Sequence, residues 1–174
     1  MDLLRYYILN HSVKEVEKVL QPAAPQLIKL LPELLDYLPG LPTASATPNP
    51  DPKVEKQRTF LALVRCLAEL AQTKPLMLII EDLHWSDATS LEFLLTLARR
   101  ASSLPIYLIL TYRTDESTPE LTHFLAELNR NRLGVETSLQ RMTQPDVDLM
   151  LRTILDLDGP VSQEFLDAVV PLNQ

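Results

Sequence analysis

Two short apolar runs, each followed by polar residues, constrain the fold of this chain more than any other feature. The first, "LMLII", is followed by Glu81 and Asp82, and the second, "IYLIL", is followed by "TYR". Runs of this length that are rich in branched residues are typical of buried strands. A stretch with helical periodicity separates them. The order of strand, helix and strand predicts a parallel α/β sheet in which residues 76–81 and 106–111 are neighbouring strands.

Most of the remaining chain has helical periodicity. Apolar residues recur at helical intervals through residues 1–38, and prolines divide this stretch into short helices. The segment "PGLPTASATPNPDP" at residues 39–52 lacks such a pattern and predicts an exposed connector. Further helices are predicted from about residue 53 to Thr73, at residues 88–102, 117–130 and 143–155, and from about Ser162 onward. The sequence "VETSLQ" at residues 135–140 predicts a third strand.

Side chains that accept hydrogen bonds from backbone N–H groups mark where two of these helices begin. Ser86, Asp87 and Thr89 are candidate caps for the helix that joins the first two strands. Ser117 stands three residues before Glu120, which is the spacing of a capping box. We therefore expect each helix to begin within a few residues of these side chains.

The charge balance excludes several classes of partner. The chain has a formal net charge of -7, whereas nucleic acids and anionic membranes attract clusters of Lys and Arg. No apolar run reaches the roughly 20 residues that a membrane span requires. The start of the sequence also lacks the basic and apolar blocks of a signal peptide. We therefore expect a cytoplasmic protein in which this segment contacts neither nucleic acid nor membrane directly.

Two scarce residue types limit the chemistry that these residues can perform alone. The three glycines, Gly40, Gly134 and Gly159, lie far apart, and none precedes a lysine. A phosphate-binding loop needs clustered glycines so that backbone N–H groups can surround phosphate oxygens. Neither G-x-x-x-x-G-K-[ST] nor G-x-G-x-x-G is present. The single cysteine, Cys66, stands among apolar residues at helical spacing and is expected in the core.

The segment "MLIIEDLHWSDATSLEFLLTLAR" resembles the Walker B strand and following helix of the STAND class of P-loop signalling ATPases. "LILTYRTDE" is similar to the next strand of that family, which ends in a Thr-x-Arg sensor segment. "LQRMTQPDVDLMLRTIL" resembles the passage into the helical lid, and "LIKLLPELLDYLPGLP" resembles a leucine-rich insertion after the first helix. The most similar group is the AAA-type domain of large LuxR-type regulators and of sensors with cyclase or kinase modules.

The resemblance implies an α/β fold: an incomplete P-loop NTPase-like parallel sheet core, an N-terminal helical segment and the start of a C-terminal helical lid. It assigns residues 1–52 to the helical insertion and proline-rich connector. Residues 53–140 become the AAA-type core with Walker B, and residues 141–174 the beginning of the lid. The family's phosphate loop is not among these residues, so we expect a fragment whose loop precedes Met1.

The same resemblance implies roles for individual residues. Glu81 is expected to hold Mg²⁺ through water, and Asp82 to activate the water that attacks the γ-phosphate. The family more often has Asp first, so the division of roles between these two acids stays open. Arg113 is expected to sense the γ-phosphate, and Thr111 to orient the same site through its hydroxyl. Mg²⁺ and ATP are therefore the implied cofactors.

Each of these residues also has an explanation without chemistry. The two acids fit an exposed strand end, Arg113 fits a solvated cation, and Thr111 fits a β-branched strand residue. His84 and the carboxylates near it imitate a zinc cluster, but their spacing matches no H-E-x-x-H motif. Trp85 is expected to pack against the protein rather than to contact a ligand.

Two functions of different classes follow. The resemblance implies part of an ATPase switch domain in a multidomain signalling or transcription-regulating protein, where nucleotide changes the access of other domains or like subunits. Its reaction would be slow, regulatory ATP hydrolysis, and the 174 residues alone are expected to be inactive. The alternative is a non-catalytic interaction module that kept the fold without nucleotide. A glycine loop encoded before Met1 would favour the first.

Overall fold

The computed structural model describes residues 2–38, Gly40 and residues 51–169. These residues form two compact units that divide between Val135 and Glu136. The first unit contains both strands, and the second contains the last two helices. Across the described ranges, no helix combines the length and the apolar character that a bilayer span requires.

The first unit begins with four short helices: α1 (Asp2–Asn10), α2 (Val13–Leu20), α3 (Ala24–Leu30) and α4 (Leu34–Tyr37). Ser12 and Glu15 form a capping box that starts α2. Pro25 stands in the first turn of α3, where its missing N–H removes no helical bond. The prediction of short helices divided by prolines is therefore confirmed. The predicted connector at 39–52 lies mostly outside the described residues, and its last residue, Pro52, begins the next helix.

Helix α5 (Pro52–Thr73) is the longest in the described part of the chain. Asp51 caps it by accepting a hydrogen bond from the Lys53 N–H at 2.9 Å. Its buried face consists of Phe60, Ala62, Val64, Cys66, Leu67, Leu70 and Ala71. Most of these side chains join buried residues of α2, α3 and the strands in one hydrophobic cluster. Removal of this apolar surface from water is the main favourable contribution to folding here.

Strands β1 (Leu76–Ile80) and β2 (Ile106–Leu110) pair in parallel, with Leu76 opposite Ile106 and Ile80 opposite Leu110. Helix α6 (Ala88–Ala101) connects them, because parallel neighbours cannot be joined by a tight turn. The predicted strand pair is therefore confirmed, and each strand ends one residue earlier than predicted. The fold is mixed α/β and mostly helical, with a small parallel sheet, as the sequence predicted.

The sheet is buried on one face only. Leu78 and Ile106 are each 9% exposed and belong to the cluster that contains α5. On the other face, Met77, Ile79 and Tyr107 are 60%, 59% and 65% exposed. The prediction of buried strands is therefore wrong for four of their ten residues, which are Met77, Ile79, Tyr107 and Ile109. Successive strand residues point to opposite faces, and α5 and α6 contact the strands from the buried side.

Helix α7 (Pro119–Arg130) packs against α6 and completes a second cluster of buried residues, which are Leu83, Leu91, Leu94, Leu121 and Phe124. Thr118, and not the predicted Ser117, caps this helix: its hydroxyl accepts a hydrogen bond from the Leu121 N–H at 3.2 Å. Ser117 instead shares a hydrogen bond with the Thr122 hydroxyl. Pro119 explains the difference, because proline favours the first helical position and so makes the preceding residue the cap.

Residues 135–140 form no strand, so the prediction of a third strand is wrong. Val135 and Leu139 are 94% and 91% exposed. A strand is stable only when a neighbouring strand satisfies its backbone N–H and C=O groups. Within the described ranges the sheet consists of β1 and β2, which pair with each other. Residues 135–140 form no ladder, so the alternating pattern alone does not make this segment a strand.

The second unit contains helices α8 (Gln144–Leu155) and α9 (Gln163–Val169), which contact each other. Thr143 and Asp146 form a capping box at the start of α8. Before α9, the Ser162 hydroxyl accepts a hydrogen bond from the Phe165 N–H at 3.4 Å. Both helices begin where the sequence predicted them.

Cys66 provides a direct test of the packing of α5. It is 1% exposed, and burial raises the pKa of its thiol to about 12. Because the thiolate is the reactive form, we expect folded Cys66 to react with an aromatic disulfide at pH 8 at least about a hundredfold more slowly than the unfolded chain. The absorbance of the released thiolate measures the rate. A Leu61→Cys variant should react promptly in the folded state, since Leu61 is 39% exposed on the same helix. Rapid labelling of native Cys66 would contradict the described packing.

Candidate functional site

The carboxyl ends of the two strands bring all four predicted site residues to one edge of the sheet. Glu81 and Asp82 directly follow β1, and Thr111 and Arg113 follow β2. Because the strands are parallel and in register, the two loops that carry these residues leave the sheet side by side. This edge is also where open α/β sheets bind their ligands.

Thr111 fastens the two loops together. Its N–H donates to the Ile80 carbonyl at 3.0 Å, and its carbonyl accepts from the Leu83 N–H at 2.9 Å. Its hydroxyl accepts from the Asp82 N–H at 3.2 Å. A threonine hydroxyl that accepts one hydrogen bond still has its own O–H to donate. This structural role is therefore compatible with a ligand contact.

Asp82 has a left-handed backbone, with φ 57° and ψ 46°. Side chains make this conformation unfavourable for most residues, and aspartate is one of the few non-glycine residues that visit it. Here it turns the chain from β1 into the short 3₁₀ turn Leu83–Trp85. Such conformations persist where the surroundings enforce them, and they concentrate at functional sites.

The carboxylates suit one end of a magnesium site. Glu81 is exposed, and the Asp82 side chain is 50% exposed. Magnesium keeps several of its waters and takes one or two protein carboxylates together with phosphate oxygens. Within the described ranges, no three His, Cys, Asp or Glu side chains form a group that could hold a metal ion. Glu81 and Asp82 fit the one or two protein carboxylates that bind a largely hydrated magnesium ion. The 174 residues contain no glycine loop for the phosphates.

Arg113 pairs with the acidic residues that follow it. Its side chain is 58% exposed and contacts Asp115 (Nη2 to Oδ2, 3.0 Å) and Glu116 (Nη1 to Oε1, 2.6 Å). The hydrogen bond to Asp115, followed by the charges of Asp115, Glu116 and Asp82, raises the pKa of Arg113. Neither partner of Arg113 was predicted from the sequence. The available signal was the spacing of three between Arg113 and Glu116 in "RTDE".

His84 is buried between the two loops, with a side chain that is 1% exposed. Its Nδ1 accepts a hydrogen bond from the backbone N–H of Arg113 at 3.3 Å. Its Nε2 lies 3.5 Å from Glu116 Oε2 and 3.9 Å from Asp82 Oδ1. Among the residues that the structure describes, Nε2 has no hydrogen-bond partner. The sequence had suggested His84 only as a metal ligand, and its position between the loops was not predicted.

Two further residues near the site differ in how well they were predicted. Trp85 is 75% exposed, so its predicted packing role is wrong: the 3₁₀ turn buries Leu83 and His84 and leaves Trp85 in solvent. Asp87 is the cap of α6 among the three candidates, because its carboxylate accepts from the Ser90 N–H at 2.7 Å. This hydrogen bond is the main cause of a lowered pKa for Asp87.

Comparisons with known proteins show which family and which relative this chain is similar to. The sequence model of the AAA ATPase domain family matches residues 3–110, which include Glu81 and Asp82 but not Thr111 or Arg113. An uncharacterized protein of Rhizobium meliloti (strain 1021) is 32% identical over 81 residues, which are 47% of this chain and 8% of that protein. The matched part of the chain therefore covers less than a tenth of the length of this relative. No solved structure matches the chain significantly.

The family match covers well over half of the 174 residues. It includes α5, α6 and both strands, which are the elements that build the sheet and its buried face. It also includes the two acids at the end of β1. The chain therefore belongs to the AAA ATPase domain family.

Proposed function

We propose that this chain supplies the Walker B and sensor part of an ATP-hydrolysing switch of the STAND class. Its place would be within a multidomain signalling or transcription-regulating protein. Membership of the AAA ATPase domain family supports ATP and Mg²⁺ as ligands. The length of the Rhizobium meliloti relative, of which the match covers 8%, supports a setting with further domains of the same polypeptide.

The observation that carries this proposal is the joining of the two strand ends. Asp82 follows one strand and Arg113 follows the other, and Thr111 ties the two loops with backbone and side-chain hydrogen bonds. Two carboxylates and a guanidinium at the carboxyl edge of a parallel sheet suit a ligand with both metal and phosphate. The left-handed backbone of Asp82 is a further support, because such conformations cluster at functional sites.

The two acids would have different roles, one toward the metal and one toward the attacking water. In the proposed division, Glu81 holds magnesium through water, and Asp82 orients the attacking water and accepts its proton. Both side chains are exposed at the edge, as that chemistry requires. Thr111 would orient the same site with its remaining O–H donor.

For Arg113 we propose contact with the γ-phosphate. Its guanidinium would have to exchange Asp115 and Glu116 for the phosphate. Exposed ion pairs stabilise a protein by little, roughly 0–1 kcal/mol. An arginine–phosphate contact is charge-assisted and can be bidentate, so the exchange is favourable once a phosphate is present.

The proposal requires a phosphate loop from outside the 174 residues, because they contain only three separated glycines. The sequence encoded immediately before Met1 tests this requirement. A strand followed by G-x-x-x-x-G-K-[ST] would support the switch. Its absence would favour the second candidate.

The second candidate is a non-catalytic interaction module with the same fold. Exposed apolar side chains favour it. Met77, Ile79 and Tyr107 lie on the open face of the sheet, and Trp85, in the turn that follows β1, is also exposed. Contiguous apolar surface of this kind often contacts another protein surface. Its partners would be other domains of the same polypeptide or like subunits.

The strain at Asp82 can be measured in the 174-residue chain. We expect Asp82→Gly to be more stable than Asp82→Ala by about 1 kcal/mol, because only alanine places a Cβ in the left-handed conformation. Denaturant unfolding of both variants measures the difference. Thr96 lies inside α6, and there the same comparison should reverse, with Thr96→Gly less stable than Thr96→Ala by about 1 kcal/mol. Equal stability of the two Asp82 variants would remove the argument from strain.

We expect the isolated 174-residue chain to show no micromolar binding of Mg-ATP. Magnesium bridging and Arg113 alone are too few contacts to offset the desolvation of a triphosphate. Titration calorimetry with Mg-ATP tests this expectation. Micromolar binding would contradict it and would reveal a nucleotide site elsewhere in these 174 residues.

In a protein extended to include a phosphate loop, three substitutions separate the proposed roles. Glu81→Gln should weaken Mg-ATP binding and hydrolysis together, because the metal bridges the phosphates before and during reaction. Asp82→Asn and Arg113→Ala should leave ATP bound and slow single-turnover hydrolysis by about a hundredfold or more. Asp156→Asn is the matched control, because Asp156 is also left-handed but caps α8. Unchanged binding and hydrolysis in both acid variants would reduce the pair to an exposed strand end.

A further inference from the structure

Glu116 stands between two donors. Its Oε1 pairs with Arg113 Nη1 at 2.6 Å, and its Oε2 lies 3.5 Å from His84 Nε2. The contact with arginine is a close ion pair, whereas the contact with histidine is not a hydrogen bond. One carboxylate thus faces a partner that it binds and a second partner that it does not yet bind.

The backbone determines which nitrogen of His84 carries the proton. Because the Arg113 N–H donates to Nδ1, this nitrogen must present a lone pair, and the proton of the neutral ring is on Nε2. The side chain is 1% exposed, so water does not serve this N–H freely. Buried donors in native proteins are almost always paired. An unpaired Nε2–H in this position indicates that an acceptor binds it in another conformation of the site.

We propose that Glu116 exchanges between Arg113 and His84, and that His84 is the positioning residue that makes Arg113 available. The inference rests on the proposed function, because the γ-phosphate is what draws Arg113 away. As the guanidinium leaves, Glu116 moves the short distance to Nε2–H and forms a charge-assisted hydrogen bond. The carboxylate is then never left without a donor beside a buried ring.

The same ring holds the segment that carries Arg113 in place. Throughout the exchange, Nδ1 keeps its hydrogen bond to the Arg113 backbone N–H. The side chain therefore turns while the backbone stays in register with the loop of Asp82. Asp82 is the other carboxylate near Nε2, but it is farther away, at 3.9 Å, and its proposed role is to activate the attacking water. Glu116 is the acceptor that the loss of Arg113 sets free.

Nuclear magnetic resonance of the ¹⁵N-labelled 174-residue chain without nucleotide tests the exchange. Arg113→Met mimics departure of the guanidinium. In wild type we expect an unprotonated Nδ1 and a proton on Nε2 of His84 that exchanges with water faster than in Arg113→Met. In Arg113→Met, the Nε2 proton should move downfield, and its exchange with water should slow by about tenfold or more. In Arg113→Met with Glu116→Ala, both changes should disappear.

The matched control is Arg130→Met. Arg130 also pairs with an acid three residues away, Glu127 at 2.5 Å, but on α7. This variant should leave the His84 signals unchanged. A protonated Nδ1 in wild type, or the same Nε2 exchange rate in wild type and Arg113→Met, would overturn the proposal. Protection that survives in the double variant would also overturn it, because the acceptor would then be Asp82.

A second experiment adds nucleotide to a protein that is extended to include a phosphate loop. There, Mg²⁺ with a non-hydrolysable ATP analogue should protect the His84 Nε2–H, whereas Mg-ADP should not. If the analogue binds and Nε2–H stays unprotected, the exchange is wrong although the proposed function survives. If Arg113→Met shows the protection but no nucleotide binds, the exchange stands and the proposed function fails.

Discussion

The parallel pairing of β1 with β2 continues beyond the strands through the hydrogen bonds of Thr111. Its N–H and carbonyl extend the ladder to Ile80 and Leu83, and its hydroxyl holds the Asp82 N–H. These bonds impose the left-handed backbone of Asp82, since the chain must leave the strand and turn at once. Without them, the acidic loop and the arginine loop would be two independent surface segments rather than one site.

Burial on one side only makes this edge accessible. The cluster with α5 lies under one face of the sheet, and the cluster of α6, α7 and the 3₁₀ turn lies under the loops. Leu83 is fully buried in the second cluster and so anchors the turn that follows Asp82. The core therefore fixes the loop backbones by packing, while the carboxylates and the guanidinium stay in solvent, where a ligand can reach them.

His84 and Glu116 change how the arginine is understood. Without His84, Arg113 is an exposed cation neutralised by its own neighbours, which does not suit the proposed contact with phosphate. The buried imidazole offers Glu116 a second donor, and its other nitrogen holds the Arg113 backbone. In the proposed exchange, the arginine is released without leaving Glu116 unpaired. His84 would thus have two roles in the proposed exchange: Nε2 offers a donor to Glu116, and Nδ1 holds the Arg113 backbone.

The family resemblance pointed to the four residues at the strand ends, and the order of strand, helix and strand predicted the parallel pairing. Local pattern was enough to predict the helices and the two strands. These depend on apolar spacing, capping residues and prolines, which act within a few residues of each other. Local pattern failed for apolar residues that stay exposed in the structure, such as Val135, Leu139 and Trp85. Residues 135–140 alternate like a strand but have no neighbour in the described sheet. Trp85 is exposed because a 3₁₀ turn, and not its apolar ring, sets its direction. The sequence by itself determined which residues reach this edge; only the tertiary structure decided that His84 joins the two loops, because that contact links side chains 29 residues apart.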